Sequence, residues 1–228
     1  MLSTYDRPIR KVLNKTFLLD QENVCELWMV HHAEPSEIYA ACEDDLHDPI
    51  LSEKGLSQAF FISKRLEERK VSAVYSCPCG SCLQTAETIA VPHGLIVTTL
   101  IDVAGVRLLA NRPPDSAVPA LGEATVRYQD EIERAFTRTG KWTAFPFCEM
   151  STKFRRRISQ AIDEVIDYHV DETVVLVTDS TVINGYIAEI LGIPKDMWFY
   201  PEYGSIHIVR RAGEKRVLYR LNDYIPFS

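Results

Sequence analysis

Short apolar runs alternate along this chain with amphipathic segments of helical length, and that alternation limits its fold more than any other feature. The runs are "CELWMVHH" (25–32), "VSAVYS" (71–76), "LIVTTLID" (95–102) and "TVVLVTD" (173–179). Between them, "LSEKGLSQAFFISKRLEER" (51–69) reads as a helix with Ser52 as N-cap and Leu56, Ala59, Phe60 and Leu66 on one face. "SCLQTAETIAV" (81–91) and "TKFRRRISQAIDEVIDYHV" (152–170) also read as helices. "STVINGYIAEILG" is a helix ending at Gly192, with Pro194 just beyond. "SIHIVRR" and "KRVLYRL" read as a closing hairpin. Strands alternating with helices predict an α/β fold, a three-layer α/β/α sandwich around a mostly parallel sheet with a C-terminal hairpin. A length of 228 residues suits one sizeable core. The expected organisation is a single domain over 23–228, an N-terminal extension over 1–22, and an insertion or cap at about 103–148.

Charge and cysteine usage narrow the class. The net charge is −7 and the pI about 5.4, against a general nucleic-acid binder, which needs a basic face. No apolar run reaches the ~18 residues of a membrane span. Residues 1–22 lack the apolar segment of a secretory signal and carry Arg7, Arg10, Lys11 and Lys15. Pro8 is expected to interrupt any early helix there. Of the six cysteines, three cluster in "CPCGSC" (77–82). A zinc site would normally be completed by a second cluster or a downstream Cys/His pair, and none follows. The expectation is reduced thiols in a cytoplasmic or nuclear protein, with no metal and no cofactor.

In parallel sheets, ligands sit beyond the carboxyl ends of the strands. His31 and His32 end the first run, Ser76 to Ser81 follow the second, Asp102 ends the third and Asp179 the fourth. One pocket should therefore gather them.

In sequence order, "HHA" (31–33), "DPILSEKGLSQA" (48–59), "SCPCGSCLQTA" (76–86), "LID" (100–102) and "TDS" (178–180) resemble motifs of the histidine phosphatase (phosphoglycerate mutase-like) superfamily. There the slots read Arg-His-Gly, D-x-P-L-T-x-x-G-x-x-Q-A, S-S-P-L-x-R-A-x-Q-T-A, L-x-E, and S-H-G or A-H-A. "VYSCPCGSCLQTA" and "EMSTKFRRR" are most similar to the branch containing the ubiquitin-associated and SH3-domain (suppressor of T-cell receptor signalling) phosphatases. The resemblance implies a phosphohistidine mechanism. A neutral histidine attacks phosphorus, two arginines and a second histidine hold the phosphoryl oxygens, and a carboxylic acid protonates the leaving oxygen.

On that reading His32 keeps the nucleophile slot and Asp102 replaces the glutamic acid. The remaining slots depart from the pattern. His31 and Ser81 stand where arginines are expected, Ala33 where glycine is, and Asp179 where the second histidine is. Phosphoryl transfer depends on positioning and electrostatics, so the cationic clamp is most of the catalyst. Losing three donors removes roughly 5–10 kcal/mol of transition-state stabilisation, about four to seven decades in rate.

The leading expectation is a catalytically inactive pseudophosphatase, a protein-interaction or scaffold subunit. Its partner would be a protein, either a second copy or a larger complex. The alternative is a weak or altered phosphomonoesterase using His32 as nucleophile and Asp102 as acid. A metal site from His31, His32, Asp102 and Asp179 has suitable ligand types, but neighbouring side chains on a strand point to opposite faces. Asp179 or Ser180 is instead a natural cap for the helix that follows. "KFRRR" (153–157) is expected to be largely a solvated helix face, with Arg157 near the pocket, and "CEDDLHDP" (42–49) a solvated acidic loop.

Overall fold

A computed structural model describes residues 6–19, 21–36, 49–108, 110–111 and 121–224, with side chains at 6, 7 and 121–128 excepted. The acidic stretch 42–48 and the proline-bearing stretch 112–120 lie outside the described residues. The sheet has the strand order β3-β2-β4-β1-β5-β6. Its strands are β1 (Cys25–His31), β2 (Ala73–Ser76), β3 (Val97–Thr99), β4 (Thr173–Thr178), β5 (Ile206–Ala212) and β6 (Lys215–Asp223). The first four strands run parallel, while β5 pairs antiparallel with both β1 and β6 and makes the expected C-terminal hairpin. Helices α2 (Glu53–Leu66) and α3 (Gly80–Ala90) pack on each other, as do α5 (Ser151–Tyr168) and α6 (Ser180–Leu191). They form the outer layers of a three-layer α/β/α sandwich. The chain also carries α1 (Asp6–Thr16) and α4 (Leu121–Thr139).

Burial follows the strand pattern. β1 and β4 lie at the centre of the sheet, covered on both faces, so their residues are apolar without alternation. Leu27, Met29, Val30, Val174, Val175 and Val177 are fully buried. On α2 the buried face is Gly55, Ala59, Ile62 and Leu66, whereas Leu56 and Phe60 are half exposed. The expected face was thus rotated by one position, because polar Gln58 and Ser63 and the small Gly55 take inward sites.

Pro8 does not break the N-terminal helix. It stands in the first turn of α1, where a missing N–H has no intrahelical partner to lose. The third apolar run also differs, because only 97–99 is strand and Asp102 lies in a 3-10 turn, Ile101–Val103.

Candidate functional site

Register brings three strand ends level. His31 pairs with Thr178 and Ser76 with Val177, and the amides of His32 and Cys77 bond to the carbonyls of Thr178 and Val177, each at 3.1 Å. His32, Cys77 and Asp179 therefore leave the sheet side by side. Two helix N-termini meet them there: Cys79 is the N-cap of α3 and Asp179 the N-cap of α6.

The residues around this edge divide by task. One set holds the 33–36 loop in shape. Ala33, fully buried, donates its N–H to Thr85 Oγ1, which donates to the Ser81 carbonyl at 2.7 Å. The Glu34 amide bonds Gln58 Oε1 and the Leu51 amide bonds Gln84 Oε1. Helix α2 approaches so closely that a Cβ on Gly55 would lie 2.0 Å from the Glu34 carbonyl oxygen. Only glycine fits there. Gly55, Gln58, Gln84 and Thr85 all belong to matched motif positions, and all act on the backbone.

The other set is His31, His32, Ser81 and Asp179. His31 is 5 % exposed; its Nδ1–H donates to the Glu202 carbonyl at 3.0 Å and its ring stacks on Tyr203 at 5.0 Å. Burial first, then the neighbouring His32, pushes its pKa down to about 3, so the ring is neutral at physiological pH. The His31 and His32 rings meet edge to face at 4.7 Å, closer than strand alternation suggests, because β1 ends at His31. His32 donates Nδ1–H to the Ala33 carbonyl at 2.8 Å, leaving Nε2 for the pocket. Ser81 is 2 % exposed and brings no charge.

Asp179 caps α6, as its position suggests. It accepts from the Thr181 amide at 2.7 Å, the Val182 amide at 3.1 Å and the Thr181 hydroxyl. Burial raises its pKa, and these donors pull it back. Its other oxygen crowds Gly105, where a Cβ would lie 1.9 Å away.

Asp102 does not join this group. It is exposed and lines a separate surface groove with Tyr75, Glu164, Val165 and Tyr168. The segment that follows meets the strand ends at Val103, Gly105 and Val106 instead. Arg157 explains that path: its guanidinium donates to the carbonyls of Asp102, Ala104 and Gly105 and to both carboxylate oxygens of Glu149. The fork is thereby committed to the backbone. Arg155 is committed likewise, to Asp196, Glu189 and the carbonyls of Ile193 and Lys195. At 14 % and 12 % side-chain exposure, Arg155 and Arg157 are ion-pair hubs, while Lys153 and Arg156 form the solvated face expected of that run.

The profile of the histidine phosphatase superfamily (branch 1) matches residues 27–224. The chain belongs to this superfamily. Among curated relatives it is 23 % identical over 171 residues to a probable phosphoglycerate mutase, GpmB, of Yersinia pestis (strain Pestoides F), covering 74 % of this chain and 76 % of that one. Its fold matches YhfR of Bacillus stearothermophilus (TM-score 0.73, 23 % identity, 88 % of this chain and 98 % of that one). It also matches a phosphoglycerate mutase from Bacillus anthracis (TM-score 0.70, 16 % identity, 89 % and 94 %). Against a native mycobacterial glucosyl-3-phosphoglycerate phosphatase the TM-score is 0.69, with 18 % identity over 88 % and 100 %.

Sequence reasoning undervalued the three clustered cysteines. The Sγ atoms of Cys77, Cys79 and Cys82 lie within 4.8 Å of one another at the mouth of α3, beside His32. "CPCGSC" was visible, but it was weighed as half of a two-cluster site. The signal that finds it is its position: a strand end followed by a helical i,i+3 pair folds C-x-C-x-x-C onto one point.

Proposed function

We propose that this superfamily member has lost phosphomonoester turnover and serves as a protein-interaction or scaffold subunit. One observation carries the reading. The His31, Ser81 and Asp179 slots present a neutral ring, a buried hydroxyl and a carboxylate bound to a helix terminus. A phosphate dianion arriving there meets no cation in those slots, and the nearby Arg157 is held by Glu149 and three carbonyls. What persists of the motifs is loop scaffolding, which selection for a stable fold retains without selection for chemistry.

The motif match of "VYSCPCGSCLQTA" supports placing the chain beside the ubiquitin-associated and SH3-domain phosphatase branch. For a contact surface, α1 is the strongest candidate: Ile9, Val12 and Leu13 are 61 %, 63 % and 47 % exposed. We place the protein in the cytoplasm or nucleus, where its buried thiols stay reduced. The weak-enzyme reading with Asp102 as acid loses support from the outward position of that side chain. Hydrolysis of an activated aryl phosphate across pH 5 to 8 tests the proposal. The expected rate equals the blank, and turnover that disappears in His32→Ala overturns it.

A further inference from the structure

Three sulfur atoms gather where β2 ends and α3 begins. Cys77 Sγ lies 3.0 Å from Cys79 Sγ, and Cys79 Sγ lies 3.9 Å from Cys82 Sγ. Cys77 and Cys82 are fully buried, and Cys79 is partly open to the pocket. His32 and Asp179 stand close enough for their charges to act on Cys79. A buried cysteine used only for packing behaves as a small apolar group among carbon atoms. Three sulfurs gathered on each other are a donor set.

We propose that Cys77, Cys79 and Cys82 bind one thiophilic divalent cation of the zinc type, whose fourth position is open to solvent or an exogenous donor.

Three observations support this site. Tetrahedral zinc with Zn–S bonds of about 2.3 Å sets its sulfurs about 3.8 Å apart. The present spacings bracket that value, so the metal needs only a sub-ångström opening of the Cys77–Cys79 pair. The backbone brings the ligands in from rigid elements: Cys77 from the end of β2, Cys79 and Cys82 from the first turn of α3. Electrostatics also suit the product. Three thiolates and a dication leave one net negative charge, and the N-terminus of α3, with Cys79 as its N-cap, faces it. Bound metal deprotonates the thiols. Asp179 stays with its helix cap.

This inference does not depend on the loss of phosphatase turnover. A site with three sulfurs stands or falls on its own measurements, whatever the aryl phosphate assay returns.

The test uses the full chain, purified in reductant without chelator. Elemental analysis is expected to find one zinc per chain, or one after titration with zinc sulfate. Cobalt(II) is expected to give thiolate charge-transfer bands and tetrahedral ligand-field bands at one equivalent. Cys79→Ser is expected to weaken binding by at least about tenfold to a hundredfold, while Cys148→Ala, away from the cluster, leaves it unchanged. X-ray absorption on the zinc-loaded wild type guards against variants that do not fold, and is expected to show three sulfurs and one oxygen or nitrogen. Three outcomes overturn the proposal: no stoichiometric zinc with all thiols reduced, an oxygen-only or four-sulfur shell, or cobalt bands unchanged in Cys79→Ser.

Discussion

Two buried neutral histidines make this domain sensitive to mild acid. His31 and His207 are 5 % and 0 % exposed, and burial lowers each pKa to about 3 from an unfolded value near 6.5. Between those limits the unfolded chain binds a proton at each site and the native chain does not. Stability therefore rises with pH across that window and is flat, for these groups, above it. Each histidine contributes a slope of about 1.4 kcal/mol per pH unit, so moving from pH 7.5 to 5.0 costs about 2 kcal/mol per ring, about 4 in all. That is a large share of the ~5–15 kcal/mol typical of a folded domain. Asp179 acts in the opposite direction, because its raised pKa makes the native state the better proton acceptor. Asp223, lowered by Arg65 and Arg220, loses its contribution only at lower pH. Urea unfolding at pH 7.5, 6.0 and 5.0 measures the slope. His207→Gln removes one titrating ring and is expected to halve the loss, whatever its effect at pH 7.5. A wild-type loss below about 1 kcal/mol, or an identical loss in His207→Gln, refutes the reasoning.

Arg157→Ala is expected to cost about 3–5 kcal/mol in urea unfolding, because it strands buried Glu149 and frees the carbonyls of 102, 104 and 105. Asn184→Ala removes the acceptor of the Trp198 and Phe199 amides and the side-chain bond to the Ser180 carbonyl. Each stranded amide costs about 1–3 kcal/mol, read in the same assay. The combined change His31→Arg, Ala33→Gly, Ser81→Arg and Asp179→His restores the clamp and is expected to yield His32-dependent aryl phosphatase activity. Single changes should yield none, because such groups act as a unit. The quadruple variant also loses the Asp179 cap, so a drop of about 1 kcal/mol in stability accompanies any gain.

Most of the architecture was legible because periodicity and caps report it directly. Ser52 caps α2, Gly192 ends α6 in a left-handed conformation, and β1 and β4 are apolar throughout because helices cover both faces. The mistakes have physical causes. Leu56 and Phe60 were assigned inward, but helix phase is set by the close approach of Gly55 to Glu34, which no hydrophobicity count contains. Asp102 matched a motif by spacing, yet the 3-10 turn that replaces the end of the third strand rotates it into another groove. Arg155 looked solvated because its partner Asp196 is distant in sequence. The sulfur cluster is local by contrast: the end of β2 and the first turn of α3 bring Cys77, Cys79 and Cys82 together within six residues.

The central claim is that the former phosphate site no longer receives oxyanions. Calorimetric titration of the reduced full chain with tungstate, at pH 7.5 and low salt, tests it most directly. Tungstate is a tetrahedral dianion that reports on the clamp without requiring turnover. The expected result is no saturable heat up to millimolar concentration, and no rise in melting temperature, since a ligand stabilises only by binding the native state. Saturable binding in the micromolar range that is lost in His32→Ala would contradict the account, because it would mean that this pocket has recruited other cations to replace the clamp.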